Sequence, residues 1–152
     1  MAKLSIRRED PSQPEIIELL RNGEAHSAML YPAESNHHLP LDALREPPVC
    51  FLVAREPGGR AVATGALVVH DDWAEIKRMW VERDGRGRGL AKEMLGSLIS
   101  AAQAAGVTVL RLETGVASLA ALVLYEGAGF QRCDPFAGYK PDPLSVFMEK
   151  PL

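Results

Sequence analysis

Apolar positions along this chain change period as the sequence advances, and those changes mark its elements. Leu4 and Ile6 alternate with Ser5 and Arg7, which predicts a short first strand. Ser12 offers an N-cap ahead of Pro14. Ile16, Ile17, Leu19 and Leu20 then predict a short helix, with Ala25, Ala28, Met29 and Leu30 continuing it after a break at Gly23. Tyr31 to Pro48 is polar and punctuated by prolines at 32, 40, 47 and 48, so it reads as irregular chain with at most one helical turn at Leu41 to Leu44. Cys50 to Ala54 and Ala61 to His70 are apolar runs flanking a Pro-Gly-Gly turn, the signature of a hairpin, and Trp73 to Val81 is a further strand.

The period then becomes helical. Leu90, Ala91, Met94, Leu95, Leu98, Ile99 and Ala102 recur at three and four residues, predicting an amphipathic helix that stops near Gly106. Val107 to Leu112 reads as a buried strand, Leu119 to Gly127 as a second helix, and Phe130 to Cys133 and Ser145 to Met148 as two short strands. A three-strand meander thus feeds one β-α-β crossover. That order predicts an α+β layer fold whose sheet is antiparallel first and parallel at the crossover.

At 152 residues, 47% hydrophobic and 24% charged, the chain reads as one domain, residues 1–152, with neither linker nor repeat. Cys50 and Cys133 form no disulfide framework or Cys-x-x-Cys spacing, which points to a reducing, cytoplasmic setting. No stretch approaches the ~20 apolar residues of a membrane span, and the first ten residues lack the apolar stretch of a leader peptide.

Charge changes the picture because of where it lies. Seventeen basic and 20 acidic residues give −3 overall, which speaks against nucleic-acid and anionic-membrane partners. Yet residues 75–92 carry Lys77, Arg78, Arg83, Arg86, Arg88 and Lys92 against Glu75, Glu82 and Asp84, a local excess of three positive charges. Within that island, Gly85-Arg86-Gly87-Arg88-Gly89-Leu90-Ala91 joins a strand to a helix start, where glycines, free backbone N–H groups and the helix dipole suit a phosphate or pyrophosphate. The Walker pattern is absent. Both registers of the dinucleotide fingerprint fail, at Leu90 and at Lys92, although Glu113 falls roughly where such a fold holds its ribose-binding acid. A nucleotide-binding oxidoreductase therefore stays as a minor alternative.

Arg86-Gly87-Arg88-Gly89-Leu90-Ala91 resembles the pyrophosphate loop of the GNAT N-acetyltransferase superfamily, whose pattern is Arg or Gln, two residues, Gly, one residue, then Gly or Ala. Leu124-Tyr125-Glu126-Gly127-Ala128-Gly129-Phe130 resembles the same superfamily's Leu-Tyr-x-x-x-Gly-Phe signature. The likeness is strongest over residues 61–133. It implies a three-layer α/β/α arrangement around a mixed sheet with two splayed parallel strands, and transfer of an acetyl group from acetyl-coenzyme A to the primary amine of a small molecule or amino acid by direct attack on the thioester. A non-catalytic acyl-coenzyme A-binding regulatory module is the rival reading.

The resemblance also implies roles. Arg86, Gly87, Arg88, Gly89, Leu90 and Ala91 would hold the pyrophosphate, and the backbones of Met79, Trp80 and Val81 the pantetheine and thioester, where N–H groups stabilise charge on the thioester oxygen. Tyr125 would hydrogen-bond the departing sulfur. Glu75 would take the amine's proton, with His70 or water as rivals. Ser118 stands where the superfamily frequently carries an asparagine that contacts the pantetheine arm. Glu34, His37 and Tyr139 fall on the acceptor side; adjacent His37 and His38 lack a third ligand at metal-site spacing, and no metal is expected. Glu34, Asp42, Asp71 and Asp72 would then lie near the cleft mouth and favour a cationic acceptor. Homodimers are common in the superfamily.

Overall fold

The computed structural model describes residues 4–152; the leader-peptide expectation rests partly on Met1 to Lys3, outside that range. Seven strands form one mixed sheet: β1 (Ser5–Arg8), β2 (Val49–Arg55), β3 (Ala61–Val69), β4 (Trp73–Val81), β5 (Val109–Gly115), β6 (Gln131–Arg132) and β7 (Ser145–Pro151). Their spatial order is β1-β2-β3-β4-β5-β7-β6, and β4–β5 is the one parallel pair among the described residues. Four helices accompany them: α1 (Pro14–Leu30), α2 (Leu41–Leu44), α3 (Leu90–Ala104) and α4 (Leu119–Gly127). The expected α+β architecture, antiparallel meander then crossover, is what forms.

Strand alternation sends apolar side chains to two cores, one on each face of the sheet. Leu67, Ala74, Ile76, Leu110, Leu112 and Met148 pack with Met94, Leu95 and Leu98 of α3 and with Leu122 and Tyr125 of α4. Phe51, Val53, Ala66 and Val68 meet Ile16, Leu19 and Leu20 of α1 and Leu44 of α2 on the other face. The result is three layers.

Several boundaries differ from the sequence expectation, each for a physical reason. Helix α1 runs unbroken through Gly23, because Gly23 lies against the Trp80 indole, 3.4 Å from where a Cβ would sit. Packing there outweighs the poor helix propensity of glycine. Ser12 is not the N-cap: its hydroxyl donates to Asp10 Oδ1 at 2.7 Å, and Gln13 precedes Pro14 without a side-chain cap. Strand β5 continues to Gly115 and β7 to Pro151, since the two pair along their full lengths, from Val109↔Pro151 to Gly115↔Ser145.

Candidate active site

The parallel pairing of β4 with β5 begins at Trp73↔Val109 and ends at Ile76↔Leu112, although both strands continue. Beyond that point the strands fork. The β5-facing backbone edge of residues 77–81 is left unpaired, while β3 still holds the other edge through Thr64↔Trp80 and Ala63↔Val81. A register shift opposite Gly65 accompanies the fork, with Arg78 in the left-handed region at φ 56°. That backbone is fixed from three sides: Thr64 Oγ1 donates to Arg78 O at 2.8 Å, the Arg78 guanidinium donates to Leu39 O at 3.0 and 3.1 Å, and it pairs with Glu24 at 2.7 Å. Such a bulge re-aims a strand, and an uncommon conformation persists where the surroundings over-determine it.

A cleft of about 720 Å³ occupies the fork. Its floor is the exposed edge of β4, with Met79, Trp80 and Val81 among the lining residues. At one end lies the glycine turn, where Gly87 and Gly89 both adopt left-handed φ, 80° and 76°, and Gly89 is the N-cap of α3. Only glycine takes these angles readily, and no atom lies within 4 Å of where either Cβ would be. Bare N–H groups therefore crowd a helix start with room for a ligand, the geometry that suits a phosphate.

The two loop arginines separate. Arg86 borders the cleft; its guanidinium stacks on Trp80, 5.0 Å from the ring centroid, and its Nε donates to Val81 O at 3.3 Å. Arg88 turns away to pair with Glu56 in the β2–β3 turn at 3.5 Å and, unlike its neighbours in the turn, does not border the cleft. Leu90 and Ala91 line the cleft as the first turn of α3.

Across the fork, Tyr125 of α4 lines the cleft with only 5% of its surface exposed, its ring edge-on to Phe130 at 5.6 Å. Burial pushes its phenol well above the ordinary value, so it remains a proton-bearing donor. Ser118, ahead of α4, also lines the cleft, and its hydroxyl meets the Tyr31 hydroxyl at 2.8 Å.

Glu75 is buried and does not border the cleft. Tyr139 donates to its Oε2 at 2.5 Å, Lys77 approaches the same oxygen at 3.4 Å, and Lys77 also donates to Tyr139 Oη at 2.7 Å. Tyr139 belongs to an aromatic wall with Phe136 and Phe147, and its phenol is held high by burial and by Glu75. His70 is exposed in the β3–β4 turn, stacked on Trp73 at 4.1 Å, and borders no part of the cleft; Asp71 and Asp72 share that turn. The two aspartates therefore do not stand at the cleft mouth as the sequence suggested, because β4 carries its turn and its fork at opposite ends. Of the acceptor-side candidates, His37 lines the cleft, edge-on to Tyr139 at 5.3 Å, whereas Glu34 is exposed outside it.

The acetyltransferase resemblance gave no role to several cleft residues, among them Tyr31, Lys77 and Glu113, the last noted in the sequence only as a possible ribose-binding acid. Tyr31, at the C-cap of α1, reaches over Gly115 to the β5–α4 turn, and no local pattern signals that reach. Lys77 faces the fork next to the last paired residue. Glu113 also lines the cleft, and burial raises its carboxyl to about 7 although the neighbouring Ser145 and Lys77 pull the other way.

Known proteins are similar to this chain in sequence and in fold. The sequence profile of the acetyltransferase (GNAT) family matches residues 14–130. An IAA acetyltransferase of Azospirillum brasilense is 42% identical over 154 residues, covering 100% of both chains. A Klebsiella pneumoniae structure that carries the assignment acyl-CoA N-acyltransferase superposes with a TM-score of 0.84 at 37% identity, over 98% of this chain and 97% of that one. A Thermoplasma acidophilum PaiA N-acetyltransferase, solved with coenzyme A, shares the fold at a TM-score of 0.76 and 18% identity, covering 99% of each chain. The family profile and the relatives of this chain are acetyltransferases, and the chain belongs to the acetyltransferase (GNAT) family. Among the described residues no helix is long and apolar enough to cross a membrane.

Proposed function

We propose that this protein is an acetyl-coenzyme A-dependent N-acetyltransferase that modifies the primary amine of a small molecule or amino acid by direct attack on the thioester. The observation that carries this reading is the end of β4–β5 pairing at Ile76↔Leu112 beside the glycine turn, which leaves a free strand edge and a Cβ-free anion cradle bordering one cleft. The N–H groups of residues 87–91 and the Arg86 guanidinium would hold the pyrophosphate, the Arg86 N–H itself donating to Arg83 O at 3.3 Å, and the edge of Met79, Trp80 and Val81 would hold the pantetheine arm. Bound there, acetyl-coenzyme A supplies the acyl group: the C–S bond gives way to a C–N bond and the sulfur leaves with the electron pair.

Three tasks fall to the chain. N–H groups on the β4 edge stabilise charge on the thioester oxygen. Tyr125, kept protonated by burial, donates to the departing sulfur. A base removes the acceptor's proton, because an ammonium has no lone pair with which to attack. The proposed location is the cytoplasm, in keeping with free Cys50 and Cys133.

Calorimetry with acetyl-coenzyme A and with NAD, followed by thiol release over a panel of amines and amino acids, tests the reading. Binding of acetyl-coenzyme A with thiol release for at least one amine is expected. Binding of NAD alone would overturn it, and tight acetyl-coenzyme A binding with no thiol release for any acceptor would favour a regulatory module.

A further inference from the structure

We propose that Glu113, on β5 at the mouth of the fork, is the general base that takes the proton from the acceptor amine, while Glu75 is a positioning residue within a closed network. The inference rests on the acyltransferase reading and assigns a step that reading leaves open.

The placement follows from register. Leu110 and Leu112 point into the α3 core, so Arg111 and Glu113 stand on the opposite face of β5, as Glu75 and Lys77 do relative to Ala74 and Ile76 on β4. Ile76↔Leu112 is the last parallel pair. Lys77 and Glu113 are therefore the first residues past the point where the strands separate, and both border the cleft. A base must reach the proton it removes, and access separates the candidates. Glu75 is 7% exposed, lies outside the cleft lining, and is bound to Tyr139 and Lys77. His70 is in the far turn. Glu113 has access and sits among groups that set its protonation: Lys77 and Glu75 of β4, Tyr139 and Asp142 of the segment preceding β7, and Ser145 at the start of β7. Desolvation is the largest influence, and it brings the carboxyl to about 7, matched to proton transfer near neutrality.

The step balances. Glu113 carboxylate accepts one proton from the ammonium; the freed lone pair forms the C–N bond, the C–S bond breaks with its electron pair going to sulfur, and the second proton that the nitrogen sheds passes through the Tyr125 hydroxyl or solvent to the sulfur, so that a free thiol leaves and Glu113 returns its proton to solvent. The Glu75–Tyr139–Lys77 network holds the Lys77 ammonium beside the fork, where it opposes the desolvation that protonates Glu113.

Two measurements decide it. In the wild-type protein labelled with carboxyl-¹³C glutamate, one side-chain resonance should titrate near pH 7 and vanish in Glu113→Gln; no glutamate titrating between pH 6 and 8 would overturn the proposal. With acetyl-coenzyme A and the amine that first shows thiol release, kcat/KM of the wild type should rise with pH through about 7. Glu113→Gln should bind acetyl-coenzyme A within about 3-fold of wild type, lose about 100-fold in kcat and lose that limb of the profile. Glu75→Gln should keep a limb, displaced in pH. Retention of the wild-type profile in Glu113→Gln, or its loss in His37→Ala instead, would overturn the assignment. Failure of the wild type to bind acetyl-coenzyme A would count against the acyltransferase reading, while the resonance titration still reports on Glu113.

Discussion

The Tyr31 hydroxyl lies 2.8 Å from Ser118 Oγ and accepts a hydrogen bond from Ala117 N at 3.0 Å, tying the end of α1 to the turn between β5 and α4. Gly115 makes this tie possible, since a Cβ there would collide with the hydroxyl end of the Tyr31 phenol. The tie gives the Ser118 hydroxyl a partner within the chain at the position where the superfamily frequently carries a longer asparagine side chain.

Gly115→Ala should therefore displace Tyr31 and destabilise the protein by about 1–3 kcal/mol, the usual cost of overpacking a filled site. Tyr31→Phe keeps the ring and loses only the hydroxyl's bonds, about 1 kcal/mol. Urea melts of both variants check the order, and an alanine at 115 as stable as wild type would show that Tyr31 does not close over that glycine.

The two arginines of the glycine turn should differ in solution as they do in space. Arg86→Ala, which removes a cleft-lining cation, should weaken coenzyme A binding about tenfold, or about 1.4 kcal/mol. Arg88→Ala, which breaks an exposed pair with Glu56, should change binding and stability by less than about 1 kcal/mol. Calorimetry at two salt concentrations separates them, because only the Arg86 effect should shrink as salt rises.

Tyr125→Phe should lower kcat about 10- to 100-fold with coenzyme A affinity nearly unchanged, as expected when a donor acts on charge that develops during the reaction. Steady-state kinetics alongside calorimetry make the check. Equal losses in kcat and affinity would mean that the hydroxyl serves binding.

Glu113 has a consequence for stability independent of activity. Folding raises its carboxyl from 4.5 to about 7, so the folded chain holds that proton more tightly than the unfolded chain. The stabilisation is complete below pH 4.5 and is lost as pH rises through about 7. Glu113→Gln should therefore gain on wild type across that window, by at most about 3.5 kcal/mol at about 1.4 kcal/mol per pH unit. Urea unfolding at pH 4.5, 6 and 8 measures the difference, and a constant difference would remove Glu113 from the desolvated setting described above.

Periodicity and punctuation in the sequence determined the element order, the glycine turn and the helix carrying Tyr125, because each depends on residues close together in the chain. Trp73 to Val81 and Leu119 to Gly127 form their elements with the bounds that local pattern predicts. Tertiary structure alone decided the rest. Gly23 lies within a continuous helix because Trp80, 57 residues on, packs against it. Glu75 falls inside a hydrogen-bonded network and Glu113 on the cleft because the parallel register stops at Ile76↔Leu112, a boundary set by a bulge at Arg78 and by contacts from Thr64, Leu39 and Glu24. A carboxylate's chemistry depends on its burial and neighbours, and those neighbours arrive from strands and loops far apart in the chain.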